Sequence, residues 1–150
     1  MHEPEIEYLI RSLGIGATYR GYAYLIYGTR LCLSDENYLL FVSKYLYPDI
    51  ARHYNTTSYS VERNIRTVIK VCWEHGNKSL LEKIALRPLH LKPTSSEFFD
   101  IITAHLRKTA ISASDLVPVY ILFLYASFLL KIFSIFFMLL TYFRHIFHLY

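Results

Sequence analysis

Between Tyr45 and Asn77 the chain reads YLYPDIARHYNTTSYSVERNIRTVIKVCWEHGN, and no other stretch restricts the fold so closely. Tyr47-Pro48-Asp49 fixes φ at the proline, which a first helical turn tolerates, and so opens a short helix through Ile50, Ala51 and Tyr54. Asn55 falls where a tight helix–helix turn needs left-handed backbone, a conformation that asparagine visits readily. Thr57 is the N-cap expected for a second helix, its hydroxyl able to accept an orphan amide hydrogen. Beyond it Val61, Ile65, Val68, Ile69 and Cys72 recur at helical spacing and define a buried face. Ala51 is small enough to let the two helices cross closely, as a helix-turn-helix requires.

The opposite face of the second helix carries Tyr59, Ser60, Glu62, Arg63, Arg66 and Lys70. Arg63 and Arg66 can each donate two hydrogen bonds to guanine O6 and N7, and Glu62 can accept from cytosine N4, so the face suits the major groove at G·C pairs. The same residues would also serve as solvated charges on an ordinary amphipathic helix, and their pattern alone leaves both readings open.

Charge is placed unevenly along the chain. Residues 49 to 108 hold 10 Lys+Arg against 6 Asp+Glu, whereas residues 1 to 48 hold 4 against 5, so the basic surplus coincides with the helix-turn-helix. A surplus of this size suits an operator binder whose affinity rests partly on phosphate contacts. Cys32 and Cys72 stand far apart without a CxxC, which fits a reduced cytoplasm and no disulfide framework. No signal peptide is expected, because His2 to Glu7 is polar and acidic. Enzyme chemistry finds little support: the histidines are scattered, with no HExxH and no cysteine or carboxylate at metal-ligand spacing, and no phosphate loop is present. No cofactor is expected. His53 and His75 flank the motif as surface or phosphate-proximal groups.

The flanking sequence reads as further helices. Ile6, Leu9, Ile10 and Leu13 line a first helix ending at Gly14-Ile-Gly16, and Tyr19, Tyr22, Ala23 and Ile26 line a second. Gly14, Gly16 and Gly21 are expected to serve an interhelical turn, since no buried strand precedes them. Tyr38, Leu39, Val42 and Leu46 give a third helix. After the motif, Leu80, Leu81 and Ile84 mark a short helix, and Thr94-Ser-Ser-Glu97 forms a capping box opening a last helix through Phe98, Ile101, Ile102 and Leu106.

Three islands of sequence carry a family resemblance. Tyr47-Pro-Asp-Ile-Ala51, Asn55-Thr-Thr57, Val61-Glu-Arg63, Ile65-Arg66, Trp73 and Gly76-Asn77 form the first; Arg20-Gly-Tyr-Ala-Tyr-Leu25 is similar to a KGYLYL segment, and Lys92-Pro-Thr-Ser-Ser-Glu-Phe98 to a KPTNSEF segment. From about Glu5 to Lys108 the chain resembles the C-terminal effector domain of the stage-zero sporulation master regulator, a response regulator of endospore-forming bacteria. The resemblance implies an all-α fold, a roughly six-helix domain over residues 1–110 containing the helix-turn-helix; the hydrophobic C-terminal helix expected over residues 111–150 lies outside the family pattern. It also implies a sequence-specific transcription regulator, acting in the cytoplasm at the nucleoid, on double-stranded DNA carrying an element resembling TGTCGAA. Self-association on tandem sites and contact with the RNA polymerase σ subunit are further implications. Residue by residue, Glu62, Arg63 and Arg66 match the family's base-reading positions and Lys92 a lysine near the phosphate backbone; Thr57, Ser58, Tyr59, Ser60 and Lys70 complete the expected DNA contacts. No catalytic residue and no metal is implied.

Two departures from the family pattern stand out. Where the family has Ser-Arg before Val-Glu-Arg, this chain has Tyr59-Ser60, and loss of a bidentate guanine contact is worth about 1–3 kcal/mol of discrimination. Either the operator differs at one position, or Tyr59 compensates by stacking or by contacting a phosphate. The family's domain also follows a phosphoacceptor receiver domain, whereas here it begins almost at Met1; the expectation is a binder not switched by phosphorylation in cis, either constitutive or competing for the full-length regulator's sites.

The tail forms a separate problem. From Leu116 to Phe143 the only charge is Lys131. In the window Val119 to Leu139 there are 14 Leu, Ile, Phe and Val, worth about −4 to −8 kcal/mol towards insertion against about +3 for a central lysine. Ser127, Lys131, Ser134, Met138, Thr141, His145 and His148 fall in one narrow stripe of a helix, which suggests helix pairing or an interfacial pose. Three readings remain open for this segment: a membrane anchor, with Arg107 and Lys108 holding the DNA-binding domain in the cytoplasm; a frameshifted or read-through extension; or a helix packed on the domain. A membrane-anchored interaction protein, with a degenerate helix-turn-helix that no longer reads DNA, is accordingly the alternative to the regulator.

Overall fold

Every regular element among the described residues is a helix, and the breaks between helices fall where the sequence chemistry changes. The computed structural model describes the backbone of residues 3–147 and the side chains of residues 3–110, 124–135 and 138. The chain divides into two compact units, Met1–Thr109 and Ala110–Tyr150.

In the first unit, α1 (Glu3–Ser12) buries Ile6, Leu9 and Ile10 and stops at Gly14, whose φ of 85° is left-handed backbone that glycine adopts without strain. Next comes α2 (Arg20–Ser34), which contacts α1 and four later helical segments, so its buried surface is wider than an amphipathic stripe. The expected face of α2 is therefore only half right. Tyr22 and Ile26 are buried, but Tyr19 lies outside the helix at its N-cap and Ala23 is partly exposed, while Leu25, Gly28, Thr29 and Cys32 go inside. Gly21 is not part of a turn: it lies in the first turn of α2, where that helix passes so close to the Asn64 carbonyl that no side chain fits between.

The expected third helix divides. A single turn of α3 (Asn37–Leu40) ends at Phe41, whose φ of −127° and ψ of 52° leave the helical region. A π-helical turn, Val42–Leu46, then leads straight into α4 (Tyr47–His53), with the Tyr47 amide donating to the Val42 carbonyl five residues back. The wider turn sets Val42 and Leu46 on the same buried side as Tyr47 and Ile50, ahead of Pro48, which has no amide hydrogen to continue an α-type ladder. The Tyr38 hydroxyl donates to Asp49 at 2.6 Å and so fastens α3 to α4.

After α4 the chain reverses as its residues require. Asn55 takes a φ of 50°, the Thr56 amide donates to the Ala51 carbonyl at 2.9 Å, and α5 (Ser58–His75) starts at once. Its buried residues are Val61, Ile65, Val68, Ile69 and Cys72, the five the spacing predicts. Burial pushes the Cys72 thiol up to about 11 and the Cys32 thiol to about 12, so both remain uncharged packing groups. Asn77 caps α6 (Lys78–Ala85) by accepting from the Leu80 amide at 3.0 Å, and α6 ends on Leu86 in the left-handed region. The capping box at the head of α7 (Ser95–Phe147) closes in both directions: the Thr94 amide donates to Glu97 at 2.9 Å, and the Glu97 amide to the Thr94 hydroxyl at 3.3 Å. Phe98, Phe99, Ile102 and Leu106 enter the core from there. Arg107 reaches the Glu36 carboxylate at 2.7 Å and the Cys32 carbonyl at 2.9 Å, and so caps the last turn of α2.

In the second unit, the described side chains of α7 from Leu124 to Ile135 are almost all exposed. Among the described residues no helix is long and apolar enough to cross a membrane. The side chains of Thr141, His145 and His148, part of the stripe read from the sequence, lie outside those described.

Candidate nucleic-acid interface

The outer side of α5 takes its shape from how the helix is started and what its inner side buries. The Thr57 hydroxyl accepts from the Ser60 amide at 3.1 Å, fixing the first turn, so Thr57 acts first as a cap. With Val61, Ile65 and Val68 inward, 3.6 residues per turn bring Tyr59, Arg63, Arg66 and Lys70 into one exposed stripe, and Glu62 sits half-buried at its edge. Ser58 and Ser60 are partly buried. Ser60 lies on the flank it shares with Asn64, whose side-chain amide donates to the Ser60 carbonyl at 2.7 Å. The position where the family pattern has arginine is thus turned away from the Glu62 edge. Tyr59 is 75% exposed and occupies the N-terminal end of the stripe.

Lys92 joins this stripe from elsewhere in the chain. The segment between α6 and α7 is anchored by the buried Leu89 and Pro93, and Leu89 donates its amide to Glu82 at 3.1 Å. Between these anchors Lys92 lines one shallow depression with Tyr59, Glu62, Arg63, Arg66, Thr67 and Lys70. An adjoining hollow runs from Glu62 and Arg66 to Ser43, Tyr47 and the start of α7 at Ser95 and Ser96. Burial at its base pushes the Tyr47 phenol above its ordinary range.

Two exposed ion pairs hold the stripe in the free protein. Arg66 contacts Glu62 at 3.4 Å and Lys70 contacts Glu74 at 3.9 Å. An exposed pair of this spacing is worth about 0.3–0.5 kcal/mol, whereas one bidentate arginine–guanine contact is worth about 1–3 kcal/mol of discrimination. The Arg66–Glu62 pair is therefore weak enough to exchange for a bidentate acceptor, and its parting would leave the Glu62 carboxylate free to accept elsewhere. Among the described residues Arg63 and Lys92 make no ion pair.

The structure thus gathers Glu62, Arg63, Arg66, Lys70, Tyr59 and Lys92, and sets Thr57, Ser58 and Ser60 at the head and flank of the same helix. Thr67, one turn beyond Arg63, lines the depression as well. Helical spacing from Arg63 could have found it. Ser43 and Ser96 carry no such signal, because they are brought in from separate segments. His53 stacks on the Tyr27 ring at 4.0 Å and meets Tyr54 edge-on, and His75 faces Glu74 at 4.0 Å. Among the described residues no group of three or more His, Cys, Asp or Glu could hold a metal ion. Residues 6–106 match the family described as Sporulation initiation factor Spo0A C terminal.

Proposed function

The chain belongs to the Spo0A C-terminal family, a family of sporulation DNA-binding effector domains, and from that premise we propose that it is a sequence-specific regulator that reads an element resembling TGTCGAA through α5. The observation that carries the reading is the convergence of Lys92 with Arg63, Arg66 and Lys70 around a capped, exposed helix. In the bound state Arg63 and Arg66 each engage a guanine O6/N7 edge, and Glu62 accepts from a cytosine amino group. Lys92 and Lys70 lie against phosphates and set the register without reading sequence. Thr57 and Ser58 approach the backbone at the head of α5, Tyr59 rests on a phosphate or stacks on a base, and Ser60 leaves one operator position less strictly read than an arginine would. The protein works in the cytoplasm at the nucleoid, binds tandem elements as neighbouring copies and meets the σ subunit of RNA polymerase. No step of this function makes or breaks a covalent bond.

Gel-shift titration of residues 1–109 on a TGTCGAA-containing duplex and on a scrambled one tests the proposal. Tighter binding to the first is expected, with affinity falling steeply as salt is raised. Equal affinity for the two would sink it.

A further inference from the structure

Between Leu124 and Ile135, α7 shows a surface that a water-exposed helix does not keep. Tyr125, Phe128, Leu129, Leu130, Phe133 and Ile135 are each 61–70% exposed. At 100° per residue these six side chains spread over about 220° of the helix circumference. Leu124, 51% exposed, lies beside Ile135 and widens the apolar arc by about 20°, and the remaining arc carries Ser127, Lys131 and Ser134.

The width of the apolar arc decides what can cover it. A second copy pairing through a helix seam covers a stripe about 100° wide and would leave more than half of these rings and leucines in water. A fluid hydrocarbon phase closes over the whole arc at once and leaves only the serine–lysine stripe to be satisfied. Charge favours the same occupant. After Asp100 the sequence holds one acid, Asp115, against Lys108, Lys131 and Arg144 besides Arg107, which is paired with Glu36, so the tail is cationic and suits an anionic headgroup layer. The described stretch of 12 residues extends about 18 Å, short of a bilayer core of about 30 Å, but it lies inside the run from Leu116 to Phe143 whose one charge is Lys131.

We propose that the tail beds its apolar arc into an anionic lipid bilayer, with Lys131 and the adjacent serines turned to the headgroup side, so that this chain binds membrane as well as DNA. The arc of α7 and the reading stripe of α5 share no residue, and the two activities are separable by mutation.

Flotation of the full-length protein with phosphatidylcholine vesicles containing phosphatidylglycerol tests this. The unaltered chain should float with the vesicles. Leu129→Glu combined with Phe133→Glu should lower the vesicle-bound fraction about tenfold or more, while the uncharged Ser134→Gln on the polar stripe should change it less than about twofold. All three proteins should keep the same far-UV circular dichroism and the same gel shift, so that failure of lipid binding is not confused with misfolding or with failure of DNA reading. The proposal is overturned if the unaltered chain stays at the bottom of the gradient. It is equally overturned if Ser134→Gln and the arc double variant lose binding alike. A lipid-free dimer that chemical cross-linking captures, and that the arc double variant abolishes, would assign the arc to a second copy instead.

Discussion

One added methyl at Gly21 should be felt from the core to the reading face. A Cβ built on Gly21 would stand 2.8 Å from Val68 Cγ1 and 2.9 Å from the Asn64 carbonyl carbon, and closer still to the Asn64 oxygen. Carbon–carbon contacts settle near 3.5–4.0 Å, so α2 and α5 would have to part by about 1 Å. The obstacle is largely the α5 backbone, and no rotamer change can relieve it. Overpacking of this kind costs about 1–3 kcal/mol, and the better helix propensity of alanine returns at most about 1 kcal/mol. Gly21→Ala should therefore destabilise the helical domain by about 1–2 kcal/mol, which lowers the urea midpoint by about 1 M for a domain of this size. Because Asn64 lies next to Arg63 and two residues before Arg66, the forced separation also displaces the reading side chains, and affinity for the specific duplex should fall more than affinity for a scrambled one. Gly16→Ala supplies the control, since a Cβ there meets only Thr18 Oγ1 at 3.7 Å; it should leave stability unchanged or raise it by up to about 1 kcal/mol. If Gly21→Ala unfolds at the same urea concentration as the parent, the tight crossing is refuted.

Three further outcomes are expected. Arg63→Ala and Arg66→Ala should each cost about 1–3 kcal/mol on the specific duplex and relax selectivity at one base, whereas Lys92→Ala should weaken all sequences alike and reduce the salt slope by about one; equal losses on specific and random DNA for all three would mean that α5 is not the recognition helix. Thr57→Ala, which removes the acceptor for the Ser60 amide, should destabilise by about 0.5–2 kcal/mol in urea denaturation, and Thr57→Ser should restore most of it; an unaltered midpoint for the alanine variant would show that the cap is dispensable. The bonds that Glu97 accepts from the Thr94 amide and hydroxyl hold its carboxyl below the usual glutamate range. That contribution is therefore present above the unfolded pKa of about 4.3 and is lost as the pH falls through the lower folded value, so Glu97→Gln should flatten the acid limb of stability between about pH 5 and pH 3. An acid limb of the same steepness in the variant would assign the effect to other carboxylates.

The sequence by itself determined the elements whose cause is local. Pro48 opens α4, Asn55 tolerates the left-handed turn, Thr57 caps α5 and the Thr94–Glu97 pair caps α7, because each acts on backbone groups within three or four residues of itself. The buried side of α5 was legible for the same reason: one helix rests one stripe on the core, and a period of 3.6 records it. The arginine stripe followed as the opposite side of that helix. Only the tertiary structure decided the rest. Since α2 is covered by neighbours on several sides, Leu25, Thr29 and Cys32 go inside although no single stripe contains them all, and Gly21 is needed for a helix crossing rather than for a turn. The break at Phe41 and the π-helical turn answer to Val42, Leu46 and Ile50 sharing one core ahead of a proline. Lys92 reaches the α5 stripe, and Arg107 the end of α2, across 22 residues from Lys70 and 75 from Cys32. Contacts over such separations depend on how whole helices stack, and local periodicity holds no record of that packing.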